Sequence, residues 1–428
     1  MINISKLYCD QVTPGDWLRY GSTGSPSRAL SRDGKKSPGE SDGRVVPQKA
    51  SERRPIVVWN ITRACNLKCV HCYNDSSTKA DDELSTAEAK AVLDDLSDFG
   101  VPSVLFSGGE PLMRPDLFEL TGYAAEKGLR TVISTNGTLI TKNVAKQIKQ
   151  NKVSYVGISL DGIGKINDKF RGVAGAFDKA AEGIKNCQDA GVRIGLRLTL
   201  TKRNVRDLER LFDFFEAENI ERACFYHFVP SGRGENIADE DLTHNQTRDA
   251  LETILSKTRQ YKQAGKTTDI LTVDNHVDGV YIYLKLKQDD SSGADEVYKL
   301  LAWNGGGMYS SGVGIGCIDF HGKVHPDQFW WHYNLGDVRK RPFSEIWNDT
   351  SDPLLRGLKQ RRKYIKGRCR LCRFLDICGG SLRVRADLYF GDPWAPDPAC
   401  YLTDSEIGLD KEKQEELEQS GEIIQMPD

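Results

Sequence analysis

The sequence predicts an α/β chain built around an open, partial TIM-like barrel of six βα units, followed by a cysteine-bearing C-terminal domain. Three observations predict it. Between Pro55 and Pro230, short runs rich in β-branched and aromatic residues alternate with amphipathic segments, the pattern of a parallel sheet covered by helices. The turns after successive runs carry Gly, Ser, Asn or Cys; in parallel α/β folds these strand ends share one rim, where ligands bind. Seven of the eleven cysteines fall into two tight groups, which in a chain expected to be cytoplasmic argues for metal or redox chemistry over disulfides.

In chain order, Ile2, Ile4, Leu7 and Tyr8 make a small apolar pattern that predicts a short docked element. Residues 21–54 are rich in Gly, Ser, Pro, Lys and Arg and hold too few apolar groups to offset ordering entropy, so they read as a flexible linker. Strands are expected at 56–61, 103–107, 131–135, 155–160, 194–199 and 223–228. The first intervening helix opens on the capping-box spacing Ser85-Thr86-Ala87-Glu88 and ends before Gly100. Further helices are expected at 116–127, 142–150, 175–190 and 205–218. Residues 236–310 read as a mostly helical connection, with a glycine run at 305–307. A hairpin turning at His321-Gly322 opens the C-terminal domain, 311–408, and 409–428 form a charged tail.

With 59 Lys and Arg against 61 Asp and Glu, the formal charge is −2. That gives no electrostatic footprint for nucleic acid or a membrane surface, and no apolar run approaches membrane length. A soluble, cytoplasmic chain is expected.

Cys65, Cys69 and Cys72 stand in CxxxCxxC spacing just after the first strand, with Tyr73 following. Thiolates prefer soft metals and iron–sulfur clusters. Three thiolates on a [4Fe–4S] cubane leave one iron open, and an open iron on a low-potential cluster can bind and reduce a small molecule. A zinc site of the three cysteines with His71, or three unrelated buried thiols, fits the same spacing. One βα unit later comes Gly108-Gly109-Glu110-Pro111, whose glycines let another group approach the backbone closely. Cys369, Cys372, Cys378 and Cys400 supply four further thiolates, enough to close a second cubane or to hold zinc.

The cysteine loop, followed at one βα unit by Gly-Gly-Glu-Pro, resembles the radical S-adenosylmethionine (SAM) superfamily. The resemblance implies that the open iron chelates the amino and carboxylate groups of SAM. It further implies that Tyr73, Gly108, Gly109 and Glu110 belong to the SAM site, that Ser134, Asn136 and Ser159 reach its ribose, and that Arg197 meets its carboxylate. The last four cysteines resemble the auxiliary-cluster ligands of the SPASM/twitch group. Asp327 and Leu382 stand where further cysteines of a full SPASM domain are expected, so one auxiliary [4Fe–4S] cluster is implied, not two.

Segments along nearly the whole chain look like the tetrapyrrole-modifying radical SAM enzymes. Among them are Lys6-Leu7-Tyr8-Cys9, Leu18-Arg19-Tyr20-Gly21, Asp274-Asn275-His276, His325-Pro326-Asp327 and Gly391-Asp392-Pro393-Trp394. The N-terminal segments and Cys317 look most like the branch that removes the two acetate side chains of 12,18-didecarboxysiroheme to give iron-coproporphyrin III. The alternatives are the haem d1 branch, acting on propionates, and a peptide-modifying maturase. An iron tetrapyrrole with several carboxylates should meet basic and aromatic groups. The candidates are Arg233, Lys323, Trp330 and Trp331, with His276, Cys317 or His325 as ligands to its iron. An external electron donor such as ferredoxin or flavodoxin is implied as partner.

Overall fold

The strands form where the alternation places them. The computed structural model describes residues 1–13, 15–20, 54–289, 292–422 and 426; the expected linker, 21–54, lies outside the described residues except for Arg54. In chain order the strands are β1 Ile2–Asn3, β2 Ile56–Asn60, β3 Val104–Ser107, β4 Thr131–Thr135, β5 Tyr155–Ser159, β6 Ile194–Leu200, β7 Arg222–His227, β8 Asp269–Val273, β9 Ile315–Ile318, β10 Lys323–His325 and β11 Gly336–Asp337. Among the described residues they make one sheet in the order β1-β8-β7-β6-β5-β4-β3-β2-β9-β10-β11. From β2 to β8 every pairing is parallel, and β1 and β11 remain as edges of an open barrel.

Two of the expected helices between strands begin where a side chain satisfies their orphan amides. Ser85 and Glu88 form the expected capping box ahead of the helix Thr86–Asp98, whose Ala89, Val92, Leu93 and Leu96 are buried against the sheet. Thr141 caps Lys142–Gln150 through the Val144 amide. The six expected βα units are present, and β8 extends them by one strand. Its sequence, Asp-Ile-Leu-Thr-Val, is buried along its whole length, shielded by β7 on one side and β1 on the other. A five-residue run inside a polar helical stretch looks like an interruption until its neighbours are known.

The N-terminal apolar pattern docks as expected. Ile2 and Ile4 are fully buried, β1 pairs antiparallel with β8, and the Ser5 hydroxyl accepts from the Ile270 amide at 2.9 Å. At the other side of the barrel, β9 pairs in parallel with β2 and in antiparallel with β10. The hairpin is therefore continuous with the barrel sheet and carries the C-terminal residues to its rim. No helix among the described residues is long and apolar enough to cross a membrane.

Trp330 lies in the seam between hairpin and C-terminal helices. It is 0% exposed, packs with Val229, Leu354, Leu358, Leu382 and Val384, and donates from Nε1 to Asp387 at 2.8 Å. Truncation to Ala should cost about 3–5 kcal/mol, read as a lower denaturant midpoint; a change under 1 kcal/mol would show that this seam carries no stability.

Candidate functional site

The rim at the C-terminal ends of β2 to β5 brings the cysteine loop and the Gly-Gly-Glu turn into direct backbone contact. The Gly109 amide donates to Thr62 O and the Glu110 amide to Ala64 O, both at 2.7 Å. A Cβ on Gly109 would sit 2.1 Å from Ala64 O, and one on Gly108, at φ +136, 2.5 Å from Thr62 O. Only glycine permits that approach. Glu110 is wholly buried and accepts from Thr135 Oγ1 at 2.7 Å, the Asn136 amide at 2.8 Å and the Leu112 amide at 3.1 Å. Burial pushes its carboxyl up to about 7, and its contacts with Thr135 and Asn136 join the ends of β3 and β4.

Cys65, Cys69 and Cys72 cluster with Leu67, Ala176 and Val173. Burial pushes the Cys65 thiol up to about 12 and raises that of Cys69 as well, so loading metal here requires loss of protons. Three arms hold the loop. Arg171 donates from Nη1 to Cys69 Sγ at 3.7 Å and is ion-paired with Asp161. Asn74 donates to Gly108 O at 2.7 Å. Arg233 donates from Nε to Cys69 O at 3.0 Å and from Nη1 to Asp75 and Ser76 O, both at 2.8 Å.

His71 does not complete a zinc site with the three cysteines. Its ring lies 4.4 Å from that of Phe170, its Nε2 faces Asp161 at 3.6 Å, and burial lowers it to about 4. Among the described residues, no group of three His, Cys, Asp or Glu is arranged around a single metal ion.

Tyr73 turns back over the strand ends. Its hydroxyl donates to Asn60 Oδ1 at 3.1 Å and lies 3.2 Å from Ser107 Oγ. Arg197 extends from β6 to donate to Ser134 Oγ at 2.7 Å and has no carboxylate partner among the described residues. Asn136 binds the cysteine loop, donating to Asn66 Oδ1 at 2.8 Å. Ser159 stands opposite Arg197 in the pairing of β5 with β6. All the expected cofactor positions thus lie around one rim.

Residues 59–215 match the model of the Radical SAM superfamily. The chain is 53% identical to Fe-coproporphyrin III synthase of Methanosarcina barkeri, over 95% of this chain and 99% of that protein. The chain belongs to the radical SAM superfamily. It is also 41% identical to pre-heme d1 synthase of Dinoroseobacter shibae, over 83% of this chain and 88% of that one. Among solved structures, Streptococcus suis SuiB bound to S-adenosylmethionine superposes with a TM-score of 0.64 at 21% identity, covering 82% of this chain and 78% of that one; that likeness bears on the fold. As a radical SAM enzyme, the chain takes a [4Fe–4S] cluster and SAM as cofactors.

The second cysteine group also converges. Cys369, Cys372, Cys378 and Cys400 line one small, apolar cavity with Val277, Phe374 and Leu375. The glycine run explains part of its construction: a Cβ on Gly306 would sit 2.4 Å from Ile377 O, and one on Gly307 2.4 Å from Ser381 O. Bare backbone at 306–307 thus lets the turn after Cys378 seat directly against it.

The expected substrate contacts divide. Arg233 is spent on the cysteine loop and Trp330 on the core. Lys323 pairs with Asp337 at 2.7 Å. His325 is fixed by Tyr333 O at 2.7 Å and Asp319 at 3.3 Å, with Trp331 5.5 Å from its ring. Cys317, 1% exposed, accepts from Asn60 Nδ2 at 3.4 Å, and Asn60 accepts in turn from Tyr73. His276, in the loop after β8, is buried with Nδ1 unpartnered and its amide donates to Ser381 Oγ at 3.0 Å. Asp274 beside it adopts φ +65, its Oδ2 buried without a partner, and burial raises its carboxyl to about 6. Sequence reasoning missed Arg171 and Asn74, whose contacts lie 102 and 34 residues away and leave no local signal.

Glu110→Ala strands the donors of Thr135, Asn136 and Leu112 and should cost about 1–3 kcal/mol, checked by thermal unfolding; unchanged stability would remove Glu110 as the junction. Arg233→Met should lower the iron retained after anaerobic reconstitution while leaving the fold intact by circular dichroism, and full iron retention would show that the clamp is dispensable.

Proposed function

We propose that this chain removes the two acetate side chains of 12,18-didecarboxysiroheme, yielding iron-coproporphyrin III. The observation that carries the proposal is the 53% identity to Fe-coproporphyrin III synthase along nearly the full length of both chains. In this reading residues 55–235 are the catalytic barrel, 236–310 connect, and 311–408 form the auxiliary-cluster domain.

Cys65, Cys69 and Cys72 hold the cluster, which when bound supplies the electron that cleaves SAM reductively. The remaining roles belong to the chain. Gly108 and Gly109 offer backbone to the SAM amino group, Ser134, Asn136 and Ser159 face the ribose, and Arg197 meets the carboxylate through its uncommitted donors. The hydroxyl of Tyr73 ties the cysteine loop to β2 and β3, so the site keeps its shape and excludes water while the substrate C–H is held close. His276 and Cys317 are the groups left to face the iron or edge of the macrocycle, whereas Arg233 and Trp330 position the site from behind. Cys369, Cys372, Cys378 and Cys400 hold one auxiliary [4Fe–4S] cluster. A small electron-transfer protein in the cytoplasm supplies reducing equivalents.

Anaerobic turnover of the reconstituted protein with SAM, a reductant and 12,18-didecarboxysiroheme should show two sequential acetate losses by mass spectrometry. Loss of propionate-derived mass would move the assignment to the haem d1 branch. 5′-Deoxyadenosine with an unaltered tetrapyrrole would refute it in favour of another substrate. Replacing Cys65, Cys69 and Cys72 by Ala should abolish SAM cleavage. Cys372→Ala should lower iron from about eight to about four per chain while uncoupled SAM cleavage persists; unchanged iron would refute the auxiliary cluster.

A further inference from the structure

Two arginines lie inside the C-terminal region without an ion-pair partner among the described residues. Arg361 is 1% exposed and Arg383 0%. Arg361 reaches only main-chain carbonyls, donating to Gly379 O at 3.4 Å, Ser381 O at 3.2 Å and Ser311 O at 3.3 Å. Arg383 likewise donates to the carbonyls of Pro393, Ala395 and Gly380. Neither forms an ion pair among the described residues, and the Nε of each is buried without an acceptor. Arg385 supplies the contrast: equally buried, it donates to both oxygens of Asp397 at 3.0 Å. A buried guanidinium facing only carbonyls is an uncompensated charge, which strongly destabilises a fold unless an anion accompanies it. Burial and the repulsion of Arg383 bring Arg361 down to about 9.

Asp327 acts electrostatically on Arg361 and Asp397 on Arg383, but neither carboxylate forms an ion pair with them among the described residues, and the hydrogen bonds of both go to other groups. Asp327 accepts from Ser311 Oγ at 2.5 Å and the Phe329 amide at 2.8 Å, and burial favours its neutral form. Asp397 is ion-paired with Arg385. What the two arginines do share is the turn Gly379-Gly380-Ser381, directly after Cys378. Arg361 donates to Gly379 O and Arg383 to Gly380 O, and Gly380 itself lines the cavity of the second cysteine group with Cys369 and Cys378. Those cysteines line the cavity together with Cys372 and Cys400. As thiols the four carry no charge. As ligands of an oxidised cubane they and the cluster together carry about two negative charges, matching two arginines.

We propose that Arg361 and Arg383 are the counter-charges of the anionic cluster held by Cys369, Cys372, Cys378 and Cys400, and that they raise its reduction potential. The inference rests on the auxiliary cluster of the preceding reading. Adding an electron deepens the negative charge, so two fixed cations in a dry site favour the reduced form. Both act as positioning and tuning residues, one electron entering or leaving with no bond made or broken.

The test is a redox titration followed by electron paramagnetic resonance on the full-length chain, in a Cys65→Ala, Cys69→Ala, Cys72→Ala background that leaves only the auxiliary signal. Arg361→Met and Arg383→Met should each shift the midpoint to a more negative potential. Arg361→Lys, which keeps the charge, should restore most of the shift. If Met variants lose iron while the Lys variant keeps about four per chain, the counter-charge role is equally supported. An unmoved midpoint at full iron, equal shifts in Met and Lys variants, iron loss from both, or zinc in place of iron would overturn it. So would an unmoved midpoint with weakened tetrapyrrole binding by Arg361→Met, which would make Arg361 an anchor for a substrate carboxylate. No SAM or tetrapyrrole is needed for the potential, so failed deacetylation would leave this result standing.

Discussion

The amides of Gly109 and Glu110, each 2.7 Å from a carbonyl of the cysteine loop, join the loop after β3 to the loop after β2, and the rest of the rim depends on that junction. Without side chains at 108 and 109 the two backbones meet. Glu110 then carries the connection on to β4 through Thr135 and Asn136, and Asn136 returns it to the cysteine loop at Asn66. Loops are ordinarily the mobile parts of an α/β fold. Here the loops after three successive strands are hydrogen-bonded to one another, which fixes the cysteine loop relative to the sheet.

Several charges in this protein are placed inside, and each has a structural consequence. Arg171, buried with Asp161, braces the cysteine loop, as does the partly exposed Arg233 with Asp75. Arg385 with Asp397 braces the loops after β7 and β8, donating also to Phe228 O at 3.2 Å and Asp274 O at 2.7 Å. Arg361 and Arg383 lack such partners and stand beside the second cysteine group. The near-neutral total of −2 conceals this distribution, because summed composition carries no information about burial.

The sheet connects the two cysteine groups mechanically. An open barrel leaves edges that need cover; the N-terminal strand β1 pairs with β8, and the hairpin strand β9 pairs with β2. β9 places Cys317 beside Val58, within reach of Asn60 and so of Tyr73, the neighbour of Cys72. The far end of the chain is thereby built onto the strand that presents the first cysteine loop, and the loop after β8 meets the turn after Cys378 through His276 and Ser381.

Much of this was legible in the sequence. Six strands and their helices follow from hydrophobic period, because a strand buried on both faces needs a continuous apolar run, and capping adds a start signal at Ser85 and Thr141, whose side chains accept from helix amides. Both cysteine groups and the Gly-Gly-Glu turn were legible because their chemistry requires short, fixed spacings. β8 was not, since five residues of β character are ambiguous until β1 and β7 flank them. Nor were the true partners of Arg233 and Trp330, which as residue types suggested a carboxylate and a macrocycle but which the fold directs to a backbone clamp and an apolar seam. Sequence by itself singled out the two cysteine groups and the Gly-Gly-Glu turn, through local spacing. Tertiary structure alone decided which charges are paired and which stand uncompensated, because burial and long-range contact set the energy of a charge and neither is written in its neighbours along the chain.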